Sequence, residues 1–203
     1  MKTRTKLIIT LLIITVNAYS QGKNILYEQK MIGLSISYPD TWNIVSADEY
    51  YNNLKGIVLK DQEYAEMIQK YATIPMFALT KYKEPFNDIN PSIKMNTKPY
   101  GQLKGISLIN MSNAIIKQIS GMYNEFNIEV EPCEINIANN KVVYFMISFQ
   151  MSDVKGNNYD VVSEMYFIDK INYFIMIGNS YDKDNKYGAK EEIKNMLSTL
   201  VIK

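Results

Sequence analysis

Ile25 to Ser37 places apolar Ile32, Leu34 and Ile36 on one side and Gly33, Ser35 and Ser37 on the other, the alternation of a half-buried strand. Tyr38-Pro39-Asp40-Thr41 ends it, because proline cannot donate to a ladder and fixes its own φ. The turn carries the single tryptophan, Trp42, back toward the strand as a core anchor. Ser46 followed by Glu49 fits a capping box and predicts a short helix through about Leu54. Beyond Gly56, Tyr64, Met67, Ile68 and Tyr71 recur at the spacing of a second amphipathic helix, with Asp61, Glu63, Glu66 and Lys70 on its wet side.

Ile74 to Tyr82 reads as a strand, 83–91 with its two prolines as a loop, and Ser92 to Thr97 as a further short strand. Leu108, Met111, Ile115, Ile119 and Met122 form the clearest helical stripe, opposite Asn110, Asn113, Lys117 and Asn124. Four strand-like runs follow, at Ile128–Ile137, Lys141–Met151, Tyr159–Ile168 and Asn172–Asn179, with Asn139-Asn140 and Asp169-Lys170 as turns. In the second of these runs Val143, Phe145, Ile147, Phe149 and Met151 share one face, while Val142, Tyr144 and Met146 make the other face apolar too. Both faces of this sheet must therefore be covered. A last helix, from about Gly188 to Leu200, turns Ala189, Ile193, Met196, Leu197 and Leu200 inward and carries Glu191 and Glu192 near its positive end.

The first twenty residues follow a different pattern. Lys2, Arg4 and Lys6 precede the apolar run Leu7–Val16, and Ala18-Tyr19-Ser20 supplies small residues, so residues 1–20 read as a signal peptide cleaved before Gln21. An uncleaved N-terminal anchor is the competing reading, but the run falls short of the roughly twenty residues that span a bilayer. No cysteine follows the run to take a lipid. The expectation is one domain over 21–203, periplasmic or secreted, with no transmembrane segment after signal cleavage.

Composition removes whole classes of chemistry. With no histidine in 203 residues, Ser-His-Asp and Cys-His sites are impossible, and histidine-ligated metal centres are excluded. Cys133 is the one cysteine, so there is neither an intramolecular disulfide nor a thiolate cage, and a small buried hydrophobe is its expected role. The leader holds three of the 22 basic residues and none of the 21 acidic ones, leaving the remainder at a net charge of −2. Arg4 is the only arginine. Nucleic-acid binding is not expected.

Other constellations have ordinary structural explanations. Asp182-Lys183-Asp184-Asn185-Lys186-Tyr187-Gly188 has the oxygen-rich look of a calcium loop but puts lysine at the third ligand and lacks the closing glutamate, so a capped strand-to-helix turn is expected. Glu129 and Glu131 share a strand face that reads as a wet edge. Gly101-Gln102-Leu103-Lys104-Gly105 lacks the ending of a phosphate loop. No catalytic, metal or cofactor residue is assigned. Tyr100, Tyr159, Tyr181 and Tyr187 fall in or beside predicted loops, where rings can stack on a sugar or anchor a partner, and these four are the candidate binding residues.

Ser35-Ile36-Ser37-Tyr38-Pro39-Asp40-Thr41-Trp42, followed by helical segment, strand, long helix, four-strand meander and final helix, resembles the PsbP-like fold, which is shared with a Ran-binding nuclear import factor. The resemblance implies an α+β chain, an α/β/α sandwich with a mainly antiparallel sheet of about six or seven strands covered by helices on both faces. It also implies a non-catalytic binding or assembly module. Plant members help retain calcium and chloride at photosystem II, and that role transfers to no residue here. The expected function is to support a protein partner in the envelope. The alternative is to bind a glycan or small amphiphile through loop tyrosines or a pocket between helix and sheet.

Overall fold

The computed structural model describes residues 23–55, 57–58, 75–153 and 155–203. The leader and the helix expected around Tyr64–Tyr71 lie outside the described residues. The elements are β1 (Asn24–Gln29), β2 (Leu34–Pro39), β3 (Asn43–Ile44), α1 (Ala47–Lys55), β4 (Ile57–Val58), β5 (Phe77–Thr80), β6 (Ser92–Pro99) and α2 (Leu108–Ser120). They continue with β7 (Asn124–Ile137), β8 (Asn140–Asp153), β9 (Asn158–Asp169), β10 (Tyr173–Asp182), α3 (Ala189–Ser198) and β11 (Val201–Ile202).

The run read as one strand over Ile25–Ser37 is a hairpin. A 3-10 turn at Lys30–Ile32 leads into Gly33, whose φ of +63° lies in the left-handed region that favours glycine, and β1 then pairs antiparallel with β2. Gly33 also faces Lys203, whose Cβ would lie 3.0 Å from any added Cβ, so the turn sits against the chain's last residue. Beyond β2, Tyr38-Pro39-Asp40-Thr41 forms the expected turn, closed by the Trp42 amide donating to the Pro39 carbonyl at 3.0 Å. At the start of α1, the Ser46 amide donates to Glu49 Oε2 at 2.8 Å and the Glu49 amide donates to Ser46 Oγ at 3.2 Å, the reciprocal bonds of a capping box.

The larger sheet runs β3-β5-β6-β10-β9-β8-β4, with β7 also paired to β8, and a smaller sheet runs β1-β2-β11. Every ladder among the described residues is antiparallel. The β7–β8 turn falls one residue earlier than expected, at Ala138-Asn139, where φ values of +45° and +67° give the left-handed geometry of a tight hairpin.

Both faces of the large sheet are apolar and both are covered, by different means. On one face Ile93, Met95, Ile175 and Ile177 pack with Leu34 and Ile36 of the small sheet and with Ile193, Met196 and Leu200 from α3 and its end. On the other, Phe145, Ile147 and Phe167 pack with Leu108, Met111 and Ile116 of α2. The architecture is thus α+β and mostly antiparallel, with few helices. The expected helical cover on both faces gives way to a mixed layer on one side, because the first apolar segment pairs as a hairpin and contributes strands to it.

Trp42 fastens this mixed layer. Its ring is 3% exposed, and its indole N–H donates to Glu192 Oε2 at 2.6 Å. Glu192 also accepts from Lys81 Nζ at 2.7 Å, and Lys81 donates in turn to the Tyr187 carbonyl at 2.6 Å. The Pro-turn, the end of β5 and the first turn of α3 meet at one carboxylate. Trp42→Phe should therefore lower the unfolding free energy by about 2 kcal/mol, the value of a bond to a charged acceptor. In urea denaturation, combining it with Glu192→Gln should cost less than the sum of the two changes; strict additivity would show that the contact contributes nothing.

Candidate functional site

Antiparallel register aligns two rows of residues across the sheet on the α2 side. One row runs Thr80, Ser92, Ser180, Ser163 and Ile147 across β5, β6, β10, β9 and β8. The next runs Ala78, Lys94, Gly178, Met165 and Phe145. Lys94 thus stands between the two smallest residues of its row, and a Cβ at Gly178 would approach Met165 Sδ to 3.0 Å. Small neighbours leave space on the sheet floor.

That space is part of a cavity of about 620 Å³ between the sheet and α2, framed also by α1 and the 81–91 loop. Ile115 and Ile119 of α2 and Phe145, Ile147, Phe149 and Met151 of β8 give it apolar walls, and the hydroxyl row with Lys94 gives it one polar sector. Two further clefts, of about 580 Å³ beside α2 and β7 and about 520 Å³ beside Trp42, have no comparable pairing of apolar wall and half-buried cation.

Lys94 Nζ lies 5.3 Å from the centroid of the Tyr50 ring, a cation-π contact, and no carboxylate of the described residues lies within ion-pair distance of it. Burial pulls its pKa below the usual lysine value. The acidic groups at the cavity are already engaged. Asp153 accepts from the Asn157 side chain, from the amides of Asn157 and Lys155 and from the Tyr159 hydroxyl, bonds led by that of the Asn157 side chain that hold its pKa low. Glu84 accepts from the Phe86 amide and the Asn90 side chain, both at 2.8 Å. Burial would raise Asp88, but bonds from the Tyr187 hydroxyl and the Ile89 amide, together with the Lys186 charge, outweigh it and lower its pKa. Thr80 Oγ1 donates to the Tyr82 carbonyl, and Ser163 Oγ donates to the Asn179 carbonyl and accepts from Ser180 Oγ at 3.5 Å.

The four candidate tyrosines do not share a surface. Tyr159 lines the cavity, its hydroxyl donating to Asp153 at 3.2 Å. Tyr187 stands behind the cavity wall, bonded to Asp88 at 2.7 Å and packed edge-on against Tyr82 and Phe86; the Asp88 bond pushes its pKa up to about 12. Tyr100 sits at the far end of β6, bonded to Asp169 and packed on Phe174. Tyr181 is in the core on the opposite face, 2% exposed, because strand alternation puts it with Ile175 and Ile177. Its hydroxyl donates to Glu164 Oε1 at 2.8 Å, and Tyr166 donates to Oε2 of the same carboxylate at 2.5 Å.

The Asp182–Gly188 segment is a capped turn. Asp182 Oδ1 accepts from the Lys186 amide at 2.9 Å and Asn185 Oδ1 from the Lys190 amide at 3.1 Å, and Gly188 enters α3 at φ +64°. Glu129 and Glu131 are both exposed, as expected of a wet strand edge, and Glu129 accepts from Ser148 Oγ at 2.6 Å. Cys133 is half-buried beside the bulged part of β7, more open than a core hydrophobe. No group of metal-binding side chains occurs among the described residues. No helix among them is long and apolar enough to cross a membrane. Lys94, the polar centre of the cavity, carried no signal in the sequence, where it is one lysine in a short strand.

No protein-family model matches the sequence, and no curated protein matches it. Solved structures do match in shape. LpqN, involved in cell envelope biogenesis of Mycobacterium tuberculosis, aligns over 89% of this chain and 90% of its own at 9% identity, with a TM-score of 0.50. Cyanobacterial PsbP from Synechocystis aligns over 90% and 94% at 12% identity and a TM-score of 0.49. The Ran-binding protein Mog1p of Saccharomyces cerevisiae aligns over 89% and 96% at 10% identity and a TM-score of 0.46. The structural neighbours thus include the PsbP and Mog1 proteins that the Tyr-Pro-Asp-Thr-Trp turn anticipated, and at these identities the likeness concerns the fold alone.

Burial, then the Glu164 charge, keeps the Tyr166 and Tyr181 phenols protonated above their ordinary value of 10.0. A phenol with a raised folded-state pKa contributes stability that is complete below pH 10 and lost as pH rises beyond it. In an alkaline titration, phenolate absorbance from these two residues should appear only together with loss of the native circular dichroism. Complete tyrosine ionisation near pH 10 in a still-folded protein would contradict this placement.

Proposed function

We propose that this chain is a non-catalytic, extracytoplasmic binding module that holds a small amphiphile between α2 and the sheet. The carrying observation is the cavity of about 620 Å³, within the range of small-molecule sites, with apolar walls from α2 and β8, Lys94 and a hydroxyl row on the sheet floor, and bordering carboxylates that are already engaged. The leader pattern of residues 1–20 supports export, and the missing histidine removes the commonest general base. LpqN, with a comparable fold, is an envelope-biogenesis protein, which is consistent with an envelope setting.

A second reading, an envelope protein partner, draws on a different surface. Among the described residues, Leu26 on edge strand β1 is 59% exposed, Met31 in the turn after β1 93%, and Ile44 on edge strand β3 61%. An unpaired strand edge with apolar side chains is a template for strand addition.

One pair of variants separates the readings. The neutral fluorophore N-phenyl-1-naphthylamine should bind the native protein, bind at least about tenfold more weakly to Ile119→Trp, which fills the cavity, and bind unchanged to Leu26→Lys. Equal binding by native protein and Ile119→Trp would refute the cavity reading. Loss of envelope cross-links in Leu26→Lys with native probe binding would favour the edge.

A further inference from the structure

The cavity also specifies one end of its occupant. We infer that the ligand is a single-chain amphiphile with a carboxylate head, which pairs with Lys94 and Ser92 while its hydrocarbon body lies between α2 and β8. This rests on the proposed cavity function and adds the class of head group.

Two observations on the sheet floor carry the inference. Lys94 is flanked in its row by Ala78 and Gly178, and among the described residues its ammonium has no ion-pair partner, only the Tyr50 ring at 5.3 Å. A cation removed from water without an anion is costly, and a ring face offsets only part of that cost. Ser92 lies two residues away on the same face and also lines the cavity. Unlike Thr80 and Ser163, which donate to the carbonyls of Tyr82 and Asn179, its hydroxyl donates to no carbonyl of the described residues. An ammonium and a hydroxyl on one strand face can each donate to an oxygen of a carboxylate.

The remaining wall sets the charge and the body. Lys94 is the only lysine or arginine lining the cavity among the described residues, whereas Glu84, Asp88 and Asp153 also border it. Those three carboxylates are held by amide, hydroxyl and lysine partners from the loops. One cation facing three fixed anions suits a head with a single negative charge and penalises a doubly charged phosphate monoester. The apolar side, formed by Ile115, Ile119, Ile147 and Phe149, offers an alkyl chain no hydrogen-bonding partner.

The test is displacement of bound N-phenyl-1-naphthylamine from the full mature chain by dodecanoate, dodecanol and dodecyl phosphate, in the native protein, Lys94→Met and Lys94→Arg. Dodecanoate should bind native protein at least tenfold more tightly than either of the others. Lys94→Met should reduce dodecanoate to the level of dodecanol without changing dodecanol, and Lys94→Arg should keep most of the preference. Equal binding of dodecanoate and dodecanol to native protein overturns the head-group inference and leaves the cavity function standing. Tighter binding of dodecyl phosphate overturns the carboxylate assignment. Displacement by none of the three, with the fluorophore still bound, also overturns the inference, whereas failure of the fluorophore itself to bind removes the cavity function beneath it. Should Lys94→Met fail to fold, native protein and Lys94→Arg still decide the head group.

Discussion

Strands β8, β9 and β10 are apolar on both faces, and the rest of the molecule is arranged to keep both from water. Val143, Phe145 and Ile147 look toward α2, while Val142, Tyr144 and Met146 look toward the small sheet and α3. Sheet burial on two sides stabilises the fold without any disulfide, since Cys133 is the sole cysteine. The two covers differ in kind. The side with the hairpin is packed with fully buried Leu34, Ile36, Ile175, Ile177 and Met196 and fastened at its edge by Trp42, Glu192 and Lys81. The α2 side retains a cavity.

Polar groups inside the two layers separate in the same way. Glu164 is 7% exposed, yet it accepts from the hydroxyls of Tyr166 and Tyr181 and from the Asn179 amide, a set of donors that belongs to the protein itself. A carboxylate so supplied is a structural element. Lys94, on the opposite face, has a ring and a hydroxyl row for company and lacks a counter-charge among the described residues. A charge withdrawn from water without a counter-charge is costly to keep.

Much of the fold can be read along the chain because it follows short-range rules. The stripe Leu108, Met111, Ile115 and Ile119 gives α2, Ser46 with Glu49 gives the start of α1, and the doubled apolarity of Val142–Met151 gives a sheet covered on both sides. The β1–β2 hairpin is harder to see, since Ile25 to Ser37 keeps a strand-like composition through Gly33 and only the backbone reveals the reversal. The candidate site is harder still. Lys94 becomes distinctive only when register sets Ala78 on one side and Gly178 on the other, and those residues come from strands far apart in sequence. Tyrosines beside loops were the visible candidates, but alternation placed Tyr181 in the core and local hydrogen bonds tied Tyr100 and Tyr187 to Asp169 and Asp88. Only Tyr159 of the four lines the cavity.

If one face of the sheet is closed and the other holds an accessible cavity, a ligand must register on one face only. Methyl-selective NMR during titration with dodecanoate reads this directly. The account predicts shifts at Ile115, Ile119, Ile147, Met151 and Val161, with Ile36, Ile175 and Ile193 unmoved. Shifts centred on Ile36, Ile175 and Ile193, or shifts confined to the exposed edge at Leu26 and Ile44, would contradict it.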